Sequence, residues 1–127
     1  MIDHVGFPVA DIGRSKAFYE AALNPLGITL MVEVTPEQTG GEAHLGFGAA
    51  GKAFFWVGTG DALEGVLHVA FTAKDRAAVD AFHAAALSAG GKDNGAPGIR
   101  AHYHPNYYGA FVVDPDGHNV EAVCHGG

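Results

Sequence analysis

Three side chains able to ligate a metal fall at related points of the chain: His4, His68 and Glu121. Side chains alternate in direction along a strand. On His4–Val9 the large apolar residues Val5, Phe7 and Val9 form one face, which leaves His4 and Gly6 on the other. On His68–Thr72, Val69 and Phe71 form the apolar face and His68 turns away. On Asn119–Cys124, Val120, Ala122 and Cys124 are the apolar set, opposed by Asn119, Glu121 and Val123. Two neutral imidazoles and a carboxylate thus share the faces turned from the helices. That is the two-His, one-carboxylate set that binds Fe(II), Mn(II) and similar ions while leaving open positions for substrate.

A second group lies just upstream of Glu121. His102-Tyr103-His104 puts two imidazoles on one face if extended, and Pro105-Asn106 leads into Tyr107-Tyr108-Gly109-Ala110-Phe111. Alternation groups Tyr107, Gly109 and Phe111. A neutral imidazole works in both directions near pH 7, so His102 or His104 is read as a proton shuttle, a substrate contact or an alternative ligand. Tyr107 or His104 is the expected proton donor or acceptor. His44 lies on the Glu42-His44-Gly46 face and is a candidate substrate contact, although a surface or core role is the simpler expectation. Cys124 reads as a small buried hydrophobe. His83 is expected to be solvated, and His118 to be structural in its turn.

These groups need a scaffold, and the chain repeats itself at its midpoint. A shift of 64 residues lays residues 4–27 over 68–91 with ten identities in twenty-four positions, among them His4/His68, Val5/Val69, Phe7/Phe71, Asp11/Asp75 and Phe18/Phe82. Each copy opens with a strand that runs to an N-capping Asp and then a helix. Gly27 and Gly90-Gly91 end the helices. In the first half the predicted strands are Ile28–Thr35, Glu42–Phe47 and Lys52–Val57. In the second, a Gly/Pro-rich loop from Gly90 to Gly98 leads to a short strand around Arg100–His104, followed by Tyr107–Val113 and Asn119–Cys124. Asp114-Pro115-Asp116-Gly117 is the turn between the last two. Both halves read β-α-β-β-β, an α+β organisation. The whole chain, 1–127, is read as one domain: module one about 1–58, a linker at 59–64, and module two about 65–127.

Composition narrows the function classes. The chain has 127 residues, 48% of them hydrophobic, enough for an ordinary folded domain. Seven Lys+Arg stand against fourteen Asp+Glu and eight His, a formal net charge of −7. With no basic run to neutralise phosphates, nucleic-acid binding is excluded as an expectation. No apolar stretch approaches the roughly 18–20 residues of a membrane span. One cysteine and no signal-like N-terminus suit a cytoplasmic protein.

A tandem βαβββ pair of this length resembles the vicinal oxygen chelate superfamily, the glyoxalase I, bleomycin-resistance and extradiol-dioxygenase group. The resemblance rests on His4-Val5, on Asp11…Ser15…Ala17-Phe18-Tyr19, on His68-Val69-Ala70-Phe71, and on Asp114-Pro115-Asp116-Gly117-His118-Asn119-Val120-Glu121. It implies two modules curled into a cup-shaped half-barrel with helices outside, a small-molecule substrate and a homodimer. It also puts Glu121 where the family carries a carboxylate ligand. One divalent metal (Fe, Mn, Ni or Zn) is the implied cofactor, acting as Lewis acid or O2 activator on an oxygen-rich substrate. Glyoxalase I-like members use four ligands, yet aligning Phe54–Val57 with Asn119–Ala122 sets Trp56 opposite Glu121. An indole N–H has no lone pair for a metal, so Trp56 is read as an apolar wall of the substrate site, beside Phe111. The alternative is a metal-free protein that sequesters a drug or metabolite, as bleomycin-resistance proteins do.

Overall fold

The computed structural model describes residues 1–61 and 63–126. Its first half contains β1 (Val5–Val9), α1 (Ile12–Leu23), a 3-10 turn at Asn24–Leu26, β2 (Thr29–Val34), α2 (Pro36–Thr39), β3 (His44–Ala49) and β4 (Lys52–Thr59). Its second half contains β5 (His68–Thr72), α3 (Arg76–Ser88), β6 (Lys92–Ile99), β7 (Tyr108–Val113) and β8 (Asn119–Cys124). Each half folds into a mixed sheet of four strands, β1-β4-β3-β2 and β5-β8-β7-β6. In both, the first strand pairs in parallel with the last. The repeat seen in the sequence is therefore a repeat of topology, and the α+β expectation of two βαβββ modules holds.

The two long helices start where the sequence places their caps. The Asp11 carboxylate accepts from the Arg14 backbone N–H at 3.1 Å, and Asp75 from that of Ala78 at 2.8 Å. Each helix packs its apolar stripe on one face of its sheet, and Phe18, Tyr19, Val79 and Phe82 are fully buried. The aromatic core runs unbroken from one half to the other. The Phe55 ring lies 5.6 Å from Phe7 and 5.1 Å from Phe71, both edge-on. Polar ties reinforce the junction. The Tyr19 hydroxyl donates to Asp114 at 2.5 Å, and the Ala10 N–H donates to Asp116 at 3.0 Å.

Two sequence expectations need correction. The segment 90–98 is not a loop, because Lys92–Ile99 is a strand, and the short strand expected around Arg100–His104 is a turn. β6 pairs with β7 alone, at the sheet edge, with two shifts of register. An edge strand accommodates Gly95, Pro97 and Gly98 because one row of its backbone groups faces solvent. The short helix α2, with a Thr35/Gln38 capping box, was also not expected.

Candidate functional site

The faces turned away from the helices differ sharply between the halves. Register makes Trp56 and Glu121 equivalent: Trp56 stands opposite Gly6 on the β1/β4 pair, and Glu121 opposite Ala70 on the β5/β8 pair. The second sheet is polar there. His68, at the start of β5, brings its Nε2 to 2.8 Å from Glu121 Oε1 on the neighbouring β8. Tyr107, just before β7, donates its hydroxyl to the other oxygen, Glu121 Oε2. Glu121 is only 1% exposed, whereas the His68 side chain is 55% exposed. The carboxylate is thus a buried acceptor held from both sides, with its histidine partner open to solvent. Burial first, then the Glu121 carboxylate, pushes the Tyr107 phenol well above its ordinary range. At neutral pH it is a hydrogen-bond donor and not a phenolate.

Phe111 extends this face. Its ring centroid is 6.3 Å from that of His68, and the Arg100 guanidinium lies over the Phe111 ring, 5.3 Å from the ring's centroid. Arg100 is itself tethered to the carbonyls of Gly98 and Ala96, at 2.9 and 2.7 Å. Tyr107, Phe111, His68 and Glu121 therefore come together.

The first sheet presents an aromatic face. Trp56 lies across Gly46, where an added Cβ would fall 2.7 Å from the indole, and its Cβ would fall 3.2 Å from one added at Gly6. Gly46 leaves the space that the indole fills, and Gly6 admits the Trp56 Cβ. Trp56 and His44 line a shallow cavity of about 240 Å³ with Gly6, Pro8 and Thr59. A larger cleft, about 450 Å³, opens between the halves and is lined by His4, Leu26, Phe54, Ala70 and Thr72 among others.

His4 stands apart from the Glu121 group. It precedes β1, and its Nδ1 is 2.8 Å from Asp3 Oδ1, a carboxylate that Lys52 also holds at 2.9 Å. Hydrogen bonds from His4 and then Lys52 keep Asp3 below the usual carboxylate range. Among the described residues, no three His, Cys, Asp or Glu side chains of one chain converge closely enough to hold a metal. His68 and Glu121 supply two adjacent donors, and the donor types suit a divalent cation.

His104 and His102 make no hydrogen bond to His68, Tyr107 or Glu121. His104 Nδ1 accepts the Asn106 N–H at 3.1 Å, which puts its proton on Nε2, and that nitrogen lies 2.8 Å from His125 Nδ1. The His102 ring lies 4.2 Å from the Tyr103 ring, tilted by 46°. These rings pack around Tyr107 at the rim. The remaining histidines are structural. His118 is buried, accepts the Leu67 N–H at 3.0 Å and lies against Phe7. His83 is not free in solvent but pairs with Asp93 at 2.9 Å. The roles of Asp3, Arg100 and His125 carried no distinctive signal in the sequence.

The fold agrees with the comparisons. The sequence profile of the Glyoxalase/Bleomycin resistance protein/Dioxygenase superfamily matches residues 1–122. The chain belongs to that superfamily. A glyoxalase/bleomycin resistance protein from Albidiferax ferrireducens T118 is 28% identical, each chain covers 97% of the other, and the TM-score is 0.73. Glyoxalase I from Zea mays is 25% identical with a TM-score of 0.70; the match takes in 97% of this chain but 45% of that one. The fosfomycin resistance protein FosX from Listeria monocytogenes, complexed with Mn(II) and sulfate, shares the fold at 18% identity, 98% and 91% coverage and a TM-score of 0.69. No curated protein is significantly similar to the chain. Among the described residues, no helix is long and apolar enough to cross a membrane.

Proposed function

We propose that the protein is a divalent-metal-dependent enzyme acting on an oxygen-rich small molecule, with His68 and Glu121 as ligands and His4 of the partner subunit completing the set in a homodimer. The observation that carries this reading is the 2.8 Å approach of His68 Nε2 to Glu121 Oε1 from adjacent strands. One proton now lies between two good donors, and a cation taking its place would have both as ligands. Tyr107 occupies the other carboxylate oxygen, so Oε1 is left to face the cation. The ring nitrogen and the carboxylate suit Fe, Mn, Ni or Zn.

Bound there, the metal would supply Lewis acidity toward substrate oxygens, or O2 activation if it is iron. The chain's own residues do the rest. Tyr107 fixes the carboxylate. Phe111 and Arg100 wall the polar side, and Trp56 of the partner subunit, on the β1/β4 pair that carries the partner's His4, would offer an apolar wall together with His44 of the partner subunit. His102 and His104 belong to the rim and not to the proton-transfer centre, since the Nε2 proton of His104 is directed at His125.

Mn(II), the ion carried by the Listeria FosX structure, is the first probe. Wild-type protein is expected to take up Mn(II), and H68A and E121A to lose it. Mixing H4A with E121A tests the shared site. If ligands come from two chains, each mixed dimer regains one intact site; if they come from one chain, none returns. Equal Mn(II) retention by wild type and E121A would overturn the assignment. Capture of an aromatic small molecule without any metal uptake would favour the sequestering function instead.

A further inference from the structure

His4 and His68 occupy equivalent places, yet the two halves hold them differently. His68 is held through Nε2, by Glu121 on the next strand. The residue equivalent to Glu121 in the first half is Trp56, which has no carboxylate to offer. His4 is held instead from the side, through Nδ1, by its neighbour Asp3. A carboxylate only accepts hydrogen bonds, so Nδ1 carries the proton. The lone pair of the neutral ring is then on Nε2, the nitrogen farther from the backbone. Metal-ligating histidines are commonly fixed in this way, one ring N–H on a carboxylate and the other nitrogen free.

Asp3 is in turn pinned from across the sheet. Lys52 Nζ lies 3.0 Å from Asp3 Oδ1 and 2.9 Å from Oδ2. Lys52 opens β4 directly after a two-residue turn in which Ala50 and Gly51 have φ of 53° and 78°. Positive φ at both positions is the hairpin geometry that matches strand twist. It is unfavourable at Ala50, whose Cβ crowds the following carbonyl. Because β4 runs parallel to β1, this turn delivers the ammonium beside the start of β1. In the second half, Leu67 and Gly117 stand at the equivalent positions, so this clamp is peculiar to the half whose sheet lacks the carboxylate. Exposed ion pairs contribute little to stability, so the Asp3–Lys52 pair is not there chiefly to hold the fold.

We propose that Asp3, anchored by Lys52, is a positioning residue that fixes the orientation and tautomer of His4 so that its Nε2 lone pair is presented to a divalent cation. This rests on the reading of His4 as a ligand. The test uses the full-length protein and Mn(II) alone. Asp3→Ala is expected to weaken Mn(II) binding by about 10–100-fold, with Asp3→Asn, which keeps an accepting oxygen, recovering part of the loss. Lys52→Gln should give a smaller loss. Without metal, nitrogen NMR of the His4 ring should report an Nδ1–H tautomer in wild type and a shift toward Nε2–H in Asp3→Ala, at an unchanged melting temperature. A purely structural Asp3 would leave that tautomer signature unmoved. If His4→Ala abolishes Mn(II) binding but Asp3→Ala leaves affinity and tautomer unchanged, the positioning role is overturned and the ligand role stands. If His4→Ala binds Mn(II) like wild type, the ligand role itself fails, and the positioning role with it.

Discussion

Glu121 is the residue on which the second module's open face depends. It is 1% exposed, and both oxygens are occupied, one by His68 and one by Tyr107. A buried acceptor left without its donor costs the desolvation that its bond had offset. Y107F should therefore destabilise the protein by about 1–3 kcal/mol, read as a lower urea midpoint with unchanged slope. An unchanged midpoint would mean that solvent already reaches Oε2. Strand alternation sorted the faces of His68 and Glu121 and grouped Tyr107 with Phe111, and the family resemblance turned the second group toward the first. That His104 directs its Nε2 at His125 and not at Glu121 was not legible. It depends on residues 100–104 forming a turn, which aims the ring at His125, twenty-one positions away. Asp3 escaped notice because a surface Asp beside a His is ordinary until Lys52 is brought to it.

At the scale of elements, legibility followed the amount of buried side chain. β1, α1, β5 and α3 bury periodic apolar faces and begin or end on capping residues, so pattern and structure agree. β6 buries almost nothing, and its sequence, Lys92–Ile99, is punctuated by Gly95, Pro97 and Gly98. It is a strand only because β7 offers it an edge, and that partner is sixteen residues downstream for the Lys92 to Tyr108 starts. The β3–β4 turn makes a separate demand. Its two central residues need positive φ, and Ala50 is the one non-glycine with that geometry among the described residues. Asn enters that region more easily than Ala and is favoured before Gly in such turns. A50N should raise stability by about 1 kcal/mol, measured as a higher melting midpoint, without moving Lys52 from Asp3. A lower midpoint would show that Ala50 packs in a way its backbone does not reveal.

At the scale of the molecule, the halves fold as one because they share a core and polar ties that neither owns. Phe55 touches aromatic rings of both halves, and α1 packs beside α3. The most buried of the ties is Tyr19, from α1, donating to Asp114 Oδ2 in the β7–β8 turn. Asp114 Oδ1 already accepts the Asp116 and His118 N–H groups, each at 2.9 Å. Y19F would leave Oδ2 buried without a donor, a loss of about 1–3 kcal/mol at neutral pH. Both halves should report it in a single shared transition, since the bond spans them. The effect has a pH signature whose sign follows from the titration of the phenol. Burial first, then the Asp114 charge, raises the Tyr19 phenol well above its ordinary value of 10.0. A group raised in the folded state contributes stability that is complete below the unfolded value and is lost as pH rises through the folded one. Wild type should therefore lose stability above about pH 10, while Y19F lacks that part of the alkaline decline. Urea midpoints of the two proteins should converge as pH rises beyond that point. A gap that stays constant into alkaline pH would mean that the Tyr19 phenol does not titrate with unfolding, and would remove Tyr19–Asp114 as the link between the halves.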